Sequence, residues 1–282
     1  MTQDLYTQIQ QFYDASSQLW EQIWGEHMHH GYYYPGENGR NKNRRQAQID
    51  LIEELILLAQ LKSPTNILDA GCGIGGSSAF LAQKFGANVM GITLSPVQAA
   101  RATARSIELG LGQKLHFQVA DALDLPFSHE QFDLVWSLES GEHMADKQKF
   151  LQECYRVLQP GGTLIFATWC HRDTQFKPLT ATEQRHLQRI YDVYCLPYVL
   201  SLSDYASIFQ TIGFQNLRTT DWSEAVAPFW DEVIDSALTP EAVFGVLRSG
   251  LSTINAALSL RQMSRGYADG LVKFGVLIAT KP

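Results

Sequence analysis

From Asn66 onward, short and nearly continuous apolar runs alternate with longer segments of helical period. The runs predict strands at Asn66–Ala70, Asn88–Leu94, Leu115–Val119, Phe132–Leu138 and Thr163–Thr168, since buried strands of a parallel sheet have no solvent face to alternate with. Between them fall predicted helices at Gly75–Phe85, from Pro96 onward and at Lys147–Leu158. Proline suits a first helical turn, and Pro160-Gly161-Gly162 marks a sharp turn before the fifth strand. Helices around Thr182–Asp192 and Ser203–Ile212, the latter stopped by Gly213, lead to strands at Gln215–Thr220 and Leu271–Thr280. Strands alternating with helices imply a parallel, doubly wound α/β sheet. Trp222–Ala268 is mostly helical and rich in large apolar groups. That is too long for a plain connection, so it predicts a cap over the ligand crevice.

Leu51–Leu61, broken by Glu53 and Glu54, and Val243–Leu260, broken by Arg248, read as amphipathic helices. No apolar run approaches the ~18 residues needed to span a bilayer. Polar Met1–Gln11 lacks the apolar core of a signal peptide. Net charge is −7 with no block of Lys or Arg, which argues against a nucleic-acid partner. The cysteines Cys72, Cys154, Cys170 and Cys195 are scattered without C-x-x-C spacing, as small core residues of a reducing compartment. The chain is expected to be cytoplasmic, with a peripheral membrane contact left open.

Candidate chemistry centres on Asn66–Gly76 (NILDAGCGIGG), a buried strand that runs through a carboxylate into glycines. Glycines let a backbone approach a ligand, so Gly71, Gly73 and Gly75 are expected to touch the cofactor, and a following helix N-terminus presents unpaired N–H groups. Gly71, Gly73 and Gly76 also fit the dinucleotide pattern G-x-G-x-x-G, so the turn alone is ambiguous. Four features in order favour a Rossmann-like S-adenosylmethionine methyltransferase. Asp69 stands two residues before Gly71, where that class places an acid beside the methionine end of the cofactor. Asp121 and Ala122 follow the third strand, where a carboxylate and a backbone N–H suit adenine. Phe132–Ser140 (FDLVWSLES), with Leu138, ends at the crevice in polar residues. Val157–Phe166 (VLQPGGTLIF) carries the turn usual before the fifth strand of the class. One residue is missing: the second strand should end in an acid for the ribose hydroxyls, yet it reads GITLSP. Thr93 and Gln98 can supply neutral hydrogen bonds and Leu94 can cover adenine; equally, Thr93 can simply cap the next helix.

Phe12–Trp20 (FYDASSQLW), Trp24–Tyr33 (WGEHMHHGYY), Ser137–Met144 (SLESGEHM), Ala167–His171, Ala227–Trp230 and Gly266–Leu277 resemble the γ-tocopherol methyltransferases, with the cyanobacterial type most similar. The likeness runs from about Leu5 to the C-terminus. It implies a mainly parallel seven-stranded class I methyltransferase sheet whose last strand is antiparallel, with an N-terminal helical lid and a helical cap. The expected division is one domain: lid 1–40, cofactor-binding core 41–221, cap 222–268 and last strand 269–282. Plant members carry a transit peptide, so a start at the catalytic region fits a bacterial or mature protein. The implied reaction methylates the aromatic carbon ortho to a phenol, turning γ- into α-tocopherol and δ- into β-tocopherol. Because the family has also given rise to indole-alkaloid N-methyltransferases, N-methylation of a small amine is the alternative. Its acceptor would then be a prenylated phenol or an amine; oligomeric state is not read from the sequence.

A phenol needs a base before its ortho carbon becomes a good nucleophile. His143 and Glu142, just past the fourth strand, are the candidates, His143 first because imidazole titrates near neutrality. Against this, His143 can serve only to bond a neighbouring loop, and Glu142 only to start a helix. Glu139 is expected to orient the cofactor amino group or loop backbone. Tyr13, His29, His30 and Tyr32 are expected to form a lid that excludes water, with Tyr13 and His30 touching the ligand; a purely structural aromatic cluster is the other reading. His27 and His30 would share a helix face, but no partner has ligand spacing and no metal is expected. Trp222, Phe229, Trp230, Phe244 and Leu247 can line an apolar channel for an isoprenoid tail or form core. Arg248, Arg261 and Arg265 can meet an anionic membrane surface or be a solvated helix face. A nicotinamide oxidoreductase lacks both its acid after the second strand and a visible proton relay. An inactive cofactor-binding module is disfavoured by the Glu142-His143 pair.

Overall fold

Seven strands form one sheet in the computed structural model, which describes residues 2–175, 177–237 and 251–282. They are β1 (Asn66–Ala70), β2 (Asn88–Thr93), β3 (Leu115–Val119), β4 (Phe132–Leu138), β5 (Leu158–His171), β6 (Gln215–Asp221) and β7 (Val272–Thr280). Their order is β3-β2-β1-β4-β5-β7-β6, parallel throughout except for β7, which runs antiparallel to both neighbours. In the middle of the sheet Ile67 pairs with Val89 on one side and Leu134 on the other. Both faces are buried. Leu134 and Trp136 join one core with α2 (Arg44–Ala59) and α3 (Gly76–Phe85), while Val135 joins another with α5 (Lys147–Val157) and α7 (Leu202–Ile212). That explains why the strand sequences are apolar at consecutive positions. Strand order reverses between β1 and β4, and such a switch point opens a crevice at the C-terminal strand ends.

Helix and strand bounds follow the periodicity closely, with two corrections. Pro160-Gly161-Gly162 lies inside β5 rather than before it. Phe132 faces Leu158 and Leu134 faces Thr163, so the extra residues bulge, with Gly161 at φ +80°. The second correction concerns the histidines. Helix α1 (Thr2–Trp24) ends before Gly25, which has φ +84°, and the chain stays non-helical to Asn43. His27 and His30 therefore share no helix face.

Helix α1 lies over α4 (Pro96–Glu108): Arg101 and Arg105 both meet Glu21 at 2.8 Å, and Ser95 donates to Asp14. The segment expected to form a cap contains α8 (Ser223–Val226), α9 (Pro228–Ala237) and α10 (Leu251–Ala268), and none of its described residues lines the cleft at the C-terminal strand ends. α10 packs on α9 and on α6 (Ala181–Tyr194). Phe229 and Trp230 are fully buried and Trp222 nearly so, all within the core. Phe244, Leu247 and Arg248 lie outside the described residues. Arg261 and Arg265 are exposed, and Arg265 pairs with Asp269 one helical turn away.

Gly71, at φ +93°, abuts Ser140, so an added Cβ would be driven into that side chain. Gly71→Ala should cost about 2–4 kcal/mol in strain and overpacking. Gly161→Ala, where nothing lies within 4 Å, should cost only about 1 kcal/mol of backbone strain. Urea unfolding of both variants tests this, and equal losses would show that Ser140 moves aside freely.

Candidate active site

A cleft of about 980 Å³, open to solvent, lies at the C-terminal ends of β1 to β4. Asp69 is 2% exposed on its floor and accepts from Ser78 Oγ. Burial pushes the Asp69 carboxyl up to about 7, against the Ser78 hydrogen bond. After it the glycine turn folds back: the N–H groups of Gly71 and Cys72 both donate to the carbonyl of Ile92. Ser140 locks the turn by donating to the Ala70 carbonyl at 2.6 Å. Gly71 and Gly73 line the cleft, both at positive φ, as does Gly76. Gly75 does not; at φ +82° it caps α3 and packs against Phe117.

At the end of β2, Thr93 Oγ1 donates to Gln98 Oε1 at 2.7 Å, and both side chains line the cleft with Leu94. Thr93 does not cap α4. Ser95 does, accepting from the Gln98 N–H at 3.0 Å. Beyond β3, Asp121 and Ala122 also line the cleft, and Asp121 Oδ1 accepts from the Leu123 N–H at 2.8 Å. Tyr6 sits over this end: burial and then Asp121 push its hydroxyl up to about 12.

The end of β4 is the most constrained part. Leu138 lines the cleft, and Glu139 follows in the left-handed region at φ +52°, a conformation that costs a non-glycine residue about 1 kcal/mol or more. Its carboxylate accepts from the His30 N–H and His30 Nδ1, each at 2.7 Å, and from Trp169 Nε1 at 3.0 Å. Burial alone would raise its pKa, but His30 outweighs burial and holds it below the ordinary value. Glu139 thus holds loop backbone. His30 is 0% exposed and, instead of lining the cleft, is enclosed by Trp169, Phe229, Trp230, Tyr267 and Phe274. Tyr32 stacks edge-on against Trp222, also away from the cleft.

The turn Gly141–His143 carries the predicted bases. Buried Lys147 clamps it from below, donating to the carbonyls of Glu142 and Met144 at 2.7 Å each. Glu142 points away from the cleft and accepts from Thr168 Oγ1 at 2.7 Å. Burial and then Glu139 push it up to about 8, so the carboxyl is protonated at neutral pH. His143 does line the cleft, with Nε2 2.7 Å from the Tyr13 hydroxyl. Burial and then Lys147 pull its pKa down to about 3, and burial raises Tyr13 well above the phenol range. The imidazole is neutral and its Nδ1 is buried without a partner, so the tautomer sets whether Nε2 accepts from Tyr13 or donates to it.

Tyr6, Ile9 and Tyr13 form the roof of the cleft. Their i, i+3, i+7 spacing is a helical signal that the polar character of Met1–Gln11 obscured. Met28, His29 and Ser140 also line the cleft; nothing in the sequence separates His29 from its neighbouring histidines. His27 is buried, pulled down to about 2 by burial and then by His29, Arg45 and Arg105. Among the described residues no cluster of three or more His, Cys, Asp or Glu is placed to hold a metal. The cleft suits S-adenosylmethionine: a tight glycine turn at one end, the Asp121 turn beneath Tyr6 at the other and a neutral polar pair between. It also holds a buried, unpartnered imidazole nitrogen on His29.

Comparison with known proteins agrees. Residues 68–166 match the family model of a methyltransferase domain. A chloroplastic rice protein named as a probable tocopherol O-methyltransferase is 50% identical over 96% of this chain and 76% of its own length. The chloroplastic tocopherol O-methyltransferase of Arabidopsis thaliana is 46% identical over 100% of this chain and 84% of its own. Norajmaline N-methyltransferase of Rauvolfia serpentina is 32% identical over 97% of both. Among solved structures, the [4+2]-cyclase SpnF superposes with a TM-score of 0.83 at 25% identity, over 98% of this chain and 97% of that one. Geranyl diphosphate C-methyltransferase from Streptomyces coelicolor A3(2) gives 0.78 at 20% identity, over 99% and 98%, which shows the fold alone. On the strength of the full-length plant relatives, this chain belongs to the tocopherol methyltransferase family of S-adenosylmethionine-dependent enzymes.

Proposed function

We propose that this enzyme methylates γ-tocopherol, and likewise δ-tocopherol, at the ring carbon ortho to the phenol, in vitamin E biosynthesis. The Tyr13–His143 hydrogen bond on the cleft wall is the observation that carries the reading. The plant relatives support the substrate, although their names specify oxygen as the site of methylation. An isoprenoid-tailed acceptor resides in membrane, so a peripheral membrane contact belongs to the proposal. No described helix is long and apolar enough to cross a bilayer.

S-Adenosylmethionine supplies an activated methyl group on a cationic sulfur. Asp69, the glycine turn, Leu138 and the Thr93–Gln98 pair would hold it, with Asp121 and Ala122 at adenine. The remaining chemistry concerns protons. Tyr13 takes the phenol proton while passing its own to His143 Nε2, which leaves a phenolate whose electron density reaches the ortho carbon. Methyl transfer leaves a neutral dienone; its ring proton then leaves to bulk water as the roof opens, while the relay returns its own proton to the oxygen. Overall a single proton is released. Transfer to oxygen would need only the first half of this sequence, and transfer to an amine would need no ring-proton loss. With ligand filling the cleft beneath the α1 roof, exclusion of water would strengthen each electrostatic contact inside. Glu142, protonated and turned toward Thr168, supports the turn and takes no proton from substrate.

With γ-tocopherol in detergent, the labelled product should be α-tocopherol that keeps a free phenol. A methyl ether would move the reaction to oxygen, and label only on an indole-type amine would favour the alkaloid branch. Tyr13→Phe and His143→Gln should each lower kcat about 10²- to 10⁴-fold while S-adenosylhomocysteine binding stays near wild type. Retained kcat in both would remove the relay.

Glu142→Gln should leave kcat within about fivefold, because the amide keeps the acceptor for Thr168. A raised pKa in the folded state means stability that is full below the unfolded value of 4.5 and lost as pH rises toward 8. The wild type should therefore lose stability relative to Glu142→Gln between about pH 5 and 8, by at least about 1 kcal/mol. Parallel urea-unfolding curves across that range would contradict the buried neutral carboxyl.

A further inference from the structure

His29 stands on the cleft wall with one ring nitrogen engaged and the other bare. Its Nδ1 lies 2.8 Å from the carbonyl oxygen of His30. A carbonyl can only accept, so Nδ1 carries the proton and Nε2 presents a lone pair. That lone pair is buried without a partner, and the residue is 4% exposed. Burial keeps the ring from taking a second proton, against the pull of Glu139 and the bonded carbonyl. The backbone is pinned as well: Gln48 Nε2 donates to the carbonyls of His27 and His29, and Glu139 holds the His30 N–H. The imidazole is thus a fixed, neutral acceptor waiting for a donor. An unpartnered buried acceptor in a cleft calls for a ligand group that completes it.

Its position selects the donor. His29 shares the wall with Met28, Gly73, Ile74 and Ser77, at the glycine turn of β1, and lies close enough to feel Glu139 after β4. Asp121 and Tyr6 mark the β3 side, three strands from β4 in the sheet order and so roughly 14 Å away. With adenine at Asp121, the methionine end of the cofactor reaches the glycine turn. That end has one donor, the α-ammonium; its carboxylate only accepts and would be repelled by a bare lone pair. We propose that His29 Nε2 accepts a hydrogen bond from the α-ammonium of S-adenosylmethionine and so fixes the methionine end. The inference rests on the cofactor and not on which acceptor is methylated.

Calorimetry with S-adenosylhomocysteine and its analogue bearing hydrogen in place of the α-amino group tests it. His29→Asn keeps a donor for the His30 carbonyl but lacks the outer acceptor, whereas His29→Gln offers its amide oxygen near the Nε2 position. The wild type should bind S-adenosylhomocysteine about tenfold more tightly than the desamino analogue, in the range of a hydrogen bond to a charged group. His29→Asn should erase that difference by weakening the amino ligand only, and His29→Gln should restore part of it. Ligand-free His29→Asn should unfold no earlier than wild type on heating, since it removes an unpaired buried acceptor; earlier unfolding would mark a structural role. Equal weakening of both ligands by His29→Asn, or none, would overturn the proposal. So would a penalty that follows the carboxylate or the adenine amino group in the matching analogues.

Discussion

The buried carboxylate of Glu139 is the constraint on which the site depends. An ionised group taken out of water costs several kcal/mol unless hydrogen bonds replace its hydration, and three donors meet it here. One comes from β5 and two from His30, more than a hundred residues away in sequence. Satisfying this anion therefore draws the segment after α1 down onto the sheet. His30, once placed, is the centre around which Phe229, Trp230, Tyr267 and Phe274 gather, so the cap is organised by the same contact. The left-handed backbone at Glu139 is the strain accepted for aiming the carboxylate inward.

The two halves of the N-terminal region are held very differently. The segment from Gly25 to Tyr34 is tied to Glu139, to Gln48, and through Tyr33 to the Ala225 carbonyl and the Glu232 carboxylate. Helix α1 rests on α4 through Glu21 and its two arginines, of which Arg101 is 36% exposed. Solvent-screened pairs of that kind contribute about 0–1 kcal/mol each. Arg105, 8% exposed, the Ser95–Asp14 bond and buried Ile9 add to what holds α1 down. Tyr13 thus reaches the cleft from a helix held on α4, and His29 from a segment held on Glu139 and Gln48.

The sheet was legible because its strands are buried on both faces, so runs such as Phe132–Leu138 announce themselves without knowledge of their partners. The glycine turn, Asp121 and Thr93–Gln98 were legible for a related reason: their places follow from strand ends alone. Residues whose role depends on what covers them were not. His30 and Tyr32 share a histidine- and tyrosine-rich stretch with His29, yet only His29 faces the cleft, because the choice is made by Glu139 and Gln48. The bulge at Pro160-Gly161-Gly162 looked like a turn since glycine and proline signal both. Glu142 beside His143 read as a second base, and only the tertiary position of Thr168 turns it away from the cleft.

Fold and chemistry part company in this molecule at an identifiable boundary. The cyclase SpnF shares the architecture at a TM-score of 0.83, so the sheet and its crevice do not themselves dictate methyl transfer. The methyltransferase domain match covers residues 68–166, which include the glycine turn, Asp121, Glu139 and His143. Tyr13 and His29 lie outside it, as do Phe229, Trp230 and Tyr267 of the cap. A crevice of common design thus receives its roof, the bare ring nitrogen of His29 and the hydroxyl bonded to His143 from the N-terminal region. His143 alone, held near pKa 3 in an apolar setting, is a poor base toward an acceptor it meets directly. Its hydrogen bond to Tyr13 ties the cleft-lining imidazole of the matched domain to a helix outside that domain. The pairing, rather than either residue, is therefore what the proposed phenol chemistry rests on.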